Sequence, residues 1–238
     1  MARTKEASKL KPITNEPLEH LIHTTAKNAD LIQKKHQQIV DGACQVFFVK
    51  GYHPTTIRDI AQSCGMSMGQ LYHYISSKDD VLYLVQKHMQ NIWHAYLENS
   101  AYDKAKDPVQ RLLRALHQTL KFMAENRRLI QFIYSESKYL DKKHLHAVLD
   151  MDKNNVIGFW RKMLSEVNHK KSIEGDLNFL ASLISYLLVF LSLRGWTLRG
   201  MSLKQEEVFI IDFILKGLGL KFRQKYSNPK PGFLVSND

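Results

Sequence analysis

IVDGACQVFFVKGYHPTTIRDIAQSCGMSMGQLYHYISSKDDVLYLV, from Ile39 to Val85, carries the punctuation that decides the fold. Three times a hydroxyl stands three residues before an acid or amide: Thr56-Ile-Arg-Asp59, Ser67-Met-Gly-Gln70 and Ser77-Lys-Asp-Asp80. In such a pair the hydroxyl accepts from the N3 amide and the later side chain returns to the N-cap amide, so two orphan donors of a helix start are met together. Each pair precedes an apolar face at helical spacing: Ile57/Ile60/Ala61, then Leu71/Ile75, then Val81/Leu82/Val85. Gly65 lies between the first and second helices, where a tight turn needs positive φ. Helix, glycine turn and short helix together make a helix-turn-helix. Its second helix, about Ser67 to Tyr74, is too short to stand alone and must be held by its neighbours. Leu71 and Ile75 turn inward, leaving Ser67, Met68, Gln70, Tyr72, His73 and Tyr74 on or near the other face.

Upstream, Ile39, Ala43, Val46 and Phe47 recur at helical spacing from about Ile32, and Gly51 stands where that helix stops. Residues 1–30 mix charges, Pro and Thr without sustained periodicity and read as a flexible arm, with a short turn around Leu18–Ile22. Downstream, a long helix runs from Val81 to about Ser100 and joins two halves. Asp107-Pro108 starts the next, with Pro at the first helical position, continuing to Glu125. Further helices are expected over 127–137, 141–167, 176–193 and 204–220, and no strand or internal repeat stands out. The fold class is therefore all-α. The expected division is an arm (1–30), a three-helix helix-turn-helix domain (31–90), a larger helical ligand-binding and dimerisation domain (91–225) and a tail (226–238).

The 238 residues carry a formal net charge of +11, which points to an anionic partner. The excess does not locate that partner, because residues 1–92 hold a net +3 and residues 93–238 a net +8. Cys44 and Cys64, the only cysteines, form no CxxC and read as reduced thiols. The first thirty residues lack the apolar core of a secretory signal. The run Phe179–Leu193 spans about fifteen residues, short of the roughly twenty of a membrane span. It reads as a buried helix of a soluble bundle, with no membrane partner and a cytoplasmic location. His144 and His146 are two apart on a helix, and His88 and His94 six apart, so neither pair shares a metal ion, and no metal or cofactor is expected. Gly65-Met-Ser67-Met-Gly69 matches G-x-S-x-G, but no strand precedes it and Ser67 serves as an N-cap, which argues against an enzyme.

The stretch Ile39–Val85 resembles the N-terminal domain of TetR-family transcriptional regulators. The shared pattern is Phe47, Gly51, Thr55-Thr56-Ile57, Asp59-Ile60-Ala61, Gly65, Ser67, Gly69, Leu71-Tyr72 and Ser77-Lys78. Cys64, Met66 and Ile75 depart from it, each one apolar residue for another. The resemblance implies that the short helix enters the major groove of double-stranded DNA. It implies that Thr56, Tyr72, His73 and Lys78 contact phosphates, that Ser67, Met68 and Gln70 face base edges, and that Gly69 lets the backbone approach the groove. Tyr134–Leu140, Arg194–Gly200 and Phe213–Gly219 resemble regulators of acyl-CoA degradation genes.

One short helix reads few bases, so two copies about one DNA turn (34–36 Å) apart on a two-fold axis are expected to read a palindrome. The apolar helices near 176–193 and 204–220 are the candidate homodimer interface, as an intermolecular four-helix bundle. An aromatic-lined pocket for a small-molecule effector of acyl-CoA type is expected among Trp93, Phe122, Tyr134, Trp160 and Trp196, with Arg194 or Arg161 available for an anionic head. The whole reads as a ligand-released repressor. A helical adaptor without DNA binding is the alternative, and Gly65, Tyr72 and Lys78 argue against it.

Overall fold

A computed structural model describes residues 21–198 and 200–220, which form ten α-helices and no strand. The first, α1 (Ala29–Lys50), starts where the Asn28 side chain accepts from the Leu31 amide and stops at Gly51, whose φ is 81°. Next come α2 (Ile57–Ser63), α3 (Met68–Tyr72) and α4 (Lys78–Asn99). Each of the three opens on its expected reciprocal cap, with both halves in place at Thr56/Asp59, Ser67/Gln70 and Ser77/Asp80. Gly65 turns the chain between α2 and α3 at φ 64°. Gly42 is needed for a different reason: a Cβ there would lie 2.6 Å from Cys64 Sγ and 2.9 Å from its backbone nitrogen, so only glycine lets α1 lie against the end of α2.

Phe47, Ile60, Leu71, Ile75, Val81 and Leu82 meet in one buried core, which fixes α3 from beneath. That core does not end with the N-terminal helices. Phe132 of α6 (Arg127–Glu136) and Val148 and Met151 of α7 (Lys142–Met151) complete it. The Phe132 ring stacks on Phe47 with centroids 5.2 Å apart, and Tyr139 stacks on Tyr52 at 6.0 Å. The long α4 serves both halves, giving Val81–Val85 to this core and Trp93 and Leu97 to the next.

The second core is built from α4, α5 (Pro108–Glu125), α8 (Gly158–Asn168), α9 (Leu177–Arg194) and α10 (Leu203–Gly217). A π-helical stretch, Asp152–Ile157, joins α7 to α8, so the single helix expected over 141–167 is continuous but widened at its middle. Leu112, Leu116, Trp160, Leu164 and Leu188 are at most 1% exposed at its centre. Each such side chain contributes about 1.5–3 kcal/mol when fully buried.

Two expectations need correction or limits. Helix α9 and the turn after it, Leu177–Leu198, make 22 residues long and apolar enough by length and composition to cross a membrane, and only 28% of the most apolar window is buried. It is thus not a helix buried all round. One side packs on α5, α6, α8 and α10, while Phe179, Leu183 and Tyr186 on the other are exposed. Of the expected arm and tail, residues 1–20 (which include Leu18 of the expected turn) and 226–238 lie outside the described residues. Within 21–28 the chain is tied down: Thr24 Oγ1 donates to the His73 carbonyl (2.7 Å) and the Thr25 amide donates to the same oxygen (3.1 Å).

Candidate nucleic-acid interface

Helix α3 has five residues, and its caps account for why so short a piece is helical. Ser67 Oγ accepts from the Gln70 amide (3.1 Å) and Gln70 Oε1 accepts from the Ser67 amide (2.9 Å). Leu71 and Ile75 are fully buried beneath it, and Met68 and Tyr74 are partly buried against the same core. The opposite side presents Ser67, Gly69, Gln70, Tyr72 and His73, all exposed, with Tyr72 at 48%. At Gly69 an added Cβ would meet only Ser67 Oγ, at 4.0 Å, so nothing within the chain requires glycine there. The result is a convex ridge of donors and acceptors whose backbone lies bare at one point.

The cap also decides how Gln70 can read a base. One acceptor lone pair of Oε1 is taken by the Ser67 amide, while the carboxamide N–H groups remain to donate. Ser67 Oγ, held by the Gln70 amide, keeps its own hydrogen for donation. Adjacent edge residues are similarly engaged. Thr56 Oγ1 accepts from the Asp59 amide (3.1 Å) and donates to Asp59 Oδ2 (2.8 Å). The Asp59 carboxyl is held well below the usual range by the Lys50 ammonium at 2.8 Å and by the Thr56 donors. His73 Nδ1 lies 2.9 Å from Thr25 Oγ1, so its ring is steadied by the segment before α1.

Lys78 takes an arrangement that spacing did not foretell. Its Nζ donates to the carbonyls of Tyr52 (3.0 Å), His53 (3.2 Å) and Thr55 (3.0 Å) and sits 4.3 Å from the Tyr52 ring centroid. An ammonium has three hydrogens, and here three carbonyls receive them. The Tyr52 phenol donates to Asp79 Oδ1 (2.6 Å), which closes the α1–α2 turn onto the start of α4. The geometry thus makes Lys78 a clamp on the turn that carries Thr56.

The residues expected around an effector pocket do not share one environment. Trp93, Phe122 and Trp160 are at most 2% exposed in the second core, where Trp93 Nε1 donates to Thr119 Oγ1 (3.2 Å). Tyr134 (47% exposed), Arg194 and Trp196 (59% exposed) lie at the surface. The Tyr134 ring is open on one side, yet desolvation of its phenol, with the Asp152 carboxylate and Tyr186 nearby, pushes that group up to about 12. A cleft of about 470 Å³ lies elsewhere, between α1, α4 and the 22–24 segment.

Three comparisons bear on this arrangement. The sequence model of bacterial regulatory proteins of the tetR family matches residues 39–83, from the middle of α1 into α4. Among curated relatives, the HTH-type transcriptional regulator HbdR of Aromatoleum sp. (strain CIB) is 28% identical over 95 residues, 40% of this chain and 41% of that protein. The fatty acid metabolism regulator protein of Bacillus subtilis (strain 168) is 31% identical over 71 residues, 30% of this chain and 37% of that protein. The matches therefore span about two-fifths of those relatives' length. The fold extends further: the crystal structure of AibR in complex with isovaleryl coenzyme A and operator DNA superposes with a TM-score of 0.61 at 18% identity, over 75% of this chain and 97% of that one. The sequence match falls on the capped helices described above, and the curated relatives are named as transcriptional regulators: residues 39–83 of this chain are similar to the tetR family of bacterial regulatory proteins.

Proposed function

We propose that this chain is a sequence-specific DNA-binding repressor that acts as a homodimer and is released by a small organic anion. The observation that carries the reading is the ridge of α3: Ser67, Gly69, Gln70 and Tyr72 face outward from a helix fixed beneath by Leu71 and Ile75. In the major groove, the free carboxamide N–H of Gln70 meets a purine N7 or O6, the exposed part of half-buried Met68 lies against a thymine methyl, and bare Gly69 admits a close approach. Tyr72 and His73 at the C-terminal edge contact phosphates and set the register without reading sequence. Thr56 meets phosphate through the backbone that its cap presents, and Lys78 supports that turn from below.

The homodimer uses α9 and α10. Phe179, Leu183 and Tyr186 form one exposed stripe at i, i+4, i+7, and Phe209 and Phe213, 60% and 64% exposed, form another at i, i+4 on the neighbouring helix. Two such helices from each copy make a four-helix bundle with an apolar seam. The same seam accounts for the openness of α9 without a bilayer and fits a cytoplasmic protein.

The effector class we favour is acyl-CoA-like. Support comes from the named ligand of AibR and the named role of the Bacillus relative. Release then requires that the ligand bind the DNA-incompetent arrangement more tightly than the competent one.

The test is a gel shift of the purified protein on DNA flanking its own gene, with and without isovaleryl-CoA. The wild type retards a defined fragment, Tyr72→Ala and Gln70→Ala do not, and the acyl-CoA restores free DNA. Retardation that is equal for unrelated DNA, or that survives both substitutions, would overturn the recognition reading.

A further inference from the structure

Two helix starts, one in each half of the molecule, are capped by carboxylates that a single buried histidine joins. Asp80 Oδ2 accepts from the amides of Ser76 (2.6 Å) and Ser77 (3.1 Å), closing the turn that leaves α3 and begins α4. Asp141 Oδ1 accepts from the His144 amide (2.9 Å) and so starts α7. Between them lies the His144 ring, its side chain 5% exposed: Nε2 is 2.8 Å from Asp80 Oδ1 and Nδ1 is 2.8 Å from Asp141 Oδ2. Tyr83 of α4 packs against the same ring, with centroids 5.7 Å apart.

Backbone N–H groups aimed at each carboxylate favour its charged form, as does the start of a helix. The Asp141 carboxyl is accordingly held low, first by the amide of His144. The ring thus has a carboxylate oxygen within hydrogen-bond distance of each nitrogen and bridges the two helix starts. Asp80 is 3% exposed, so its end of the bridge is closed off from solvent. Removing the middle member leaves a buried carboxylate with only its two backbone donors, the situation in which losing one partner is strongly destabilising.

We infer that His144 is the positioning residue that couples the body to the DNA-reading helix. The start of α7 cannot move without drawing on Asp80, and Asp80 holds the 76–77 turn between α3 and α4. The inference rests on the DNA-binding reading for its purpose, but not for its existence as a mechanical link. It assigns to α7 the element whose displacement an effector in the body must cause. Such a shift would pass through one ring to a turn four residues beyond Tyr72.

The experiment compares the full-length wild type with His144→Gln, which keeps a donor for Asp80 but cannot span to Asp141. Asp141→Asn, at the exposed end of the bridge, is the second variant, because Asn still caps α7. Amide hydrogen exchange is read at Ser76, Ser77 and Gly69–Tyr72, with Leu188 and Val189 as internal standards. Exchange in the 69–77 set rises about tenfold or more in His144→Gln, the equivalent of one charged hydrogen bond, and less in Asp141→Asn, while the standards hold. On a duplex selected by the wild type from random DNA, His144→Gln loses about tenfold in affinity with an unchanged salt slope, because no phosphate contact is lost. Acceleration confined to 142–145, or full affinity in the presence of faster exchange, overturns the coupling. A wild type that selects no duplex sinks the DNA-binding reading instead, and the exchange data still judge the bridge.

Discussion

At Lys78 the donors of one side chain and the acceptors of one turn match in number, and this separates two roles for a lysine beside DNA. If its ammonium supports the turn, Lys78→Met removes hydrogen bonds from a charged donor and costs about 2 kcal/mol of stability. The salt dependence of operator binding then stays as in the wild type. If the ammonium turned out to a phosphate, stability would hold and the slope of log K against log salt would fall by about 0.9. From the three carbonyl contacts we expect the first outcome, measured by urea unfolding and by titrations at several salt concentrations. Gly69 gives the opposite dissociation. With only Ser67 Oγ near the added carbon, Gly69→Ala meets no clash inside the protein, and alanine gains about 0.5–1 kcal/mol in a helix. Thermal unfolding should therefore shift slightly upward while operator affinity drops. Equal affinity for the two proteins would mean that the groove never reaches this backbone.

Helix starts were legible because a cap joins residues three apart. Thr56/Asp59, Ser67/Gln70 and Ser77/Asp80 each form as the spacing implied, and the Asp107-Pro108 start of α5 does too. What spacing could not carry is the use of a side chain by a distant element. Asp80 reads as a cap and is also the partner of His144, 64 positions away. Lys78, expected on a phosphate, is bound to a turn 23 to 26 positions back. Trp93 and Trp196 look alike in sequence, yet only the first has α5 and α8 to cover it. The π-helical stretch between α7 and α8 was also invisible, since no residue type marks it. It places Asp152 where burial raises its carboxyl above the ordinary value. A carboxyl raised in the folded state favours folding only below its unfolded pKa, about 3.9, and that contribution is lost as pH rises through the folded value. Asp152→Asn should then stabilise the protein at pH 7, and this gain should vanish below about pH 4. Denaturant midpoints at the two pH values test it, and an equal gain at both would point to packing instead.

In the proposed assembly, DNA is met at one end of the molecule and a second copy at the other. Phe209 and Phe213 expose most of their rings in the single chain, and each would contribute about 2 kcal/mol on burial. Phe209→Lys with Phe213→Lys should leave the fold intact, halve the mass in sedimentation, and weaken operator binding far more than either change alters α3. A dimer that survives both would relocate the interface. The DNA-binding end carries its own dependence on acidity, spread over α1 and α4. His36, His88 and His94 all have their ring pKa lowered, chiefly because burial disfavours the imidazolium. At His36 the Tyr74 carbonyl opposes that effect and Lys87 adds to it. His94 Nε2 is buried with no hydrogen-bond partner among the described residues. Each ring is thus neutral when folded, whereas in the unfolded chain it takes a proton below about pH 6.5. Stability from these groups is complete above that pH and is lost as pH falls from it toward the folded values. The urea midpoint should therefore decline between about pH 6.5 and 5, before most carboxylates titrate. His94→Leu should flatten the decline by removing one of the three protons taken up on unfolding, and a profile as steep as the wild type's would show that His94 is already protonated in the folded protein.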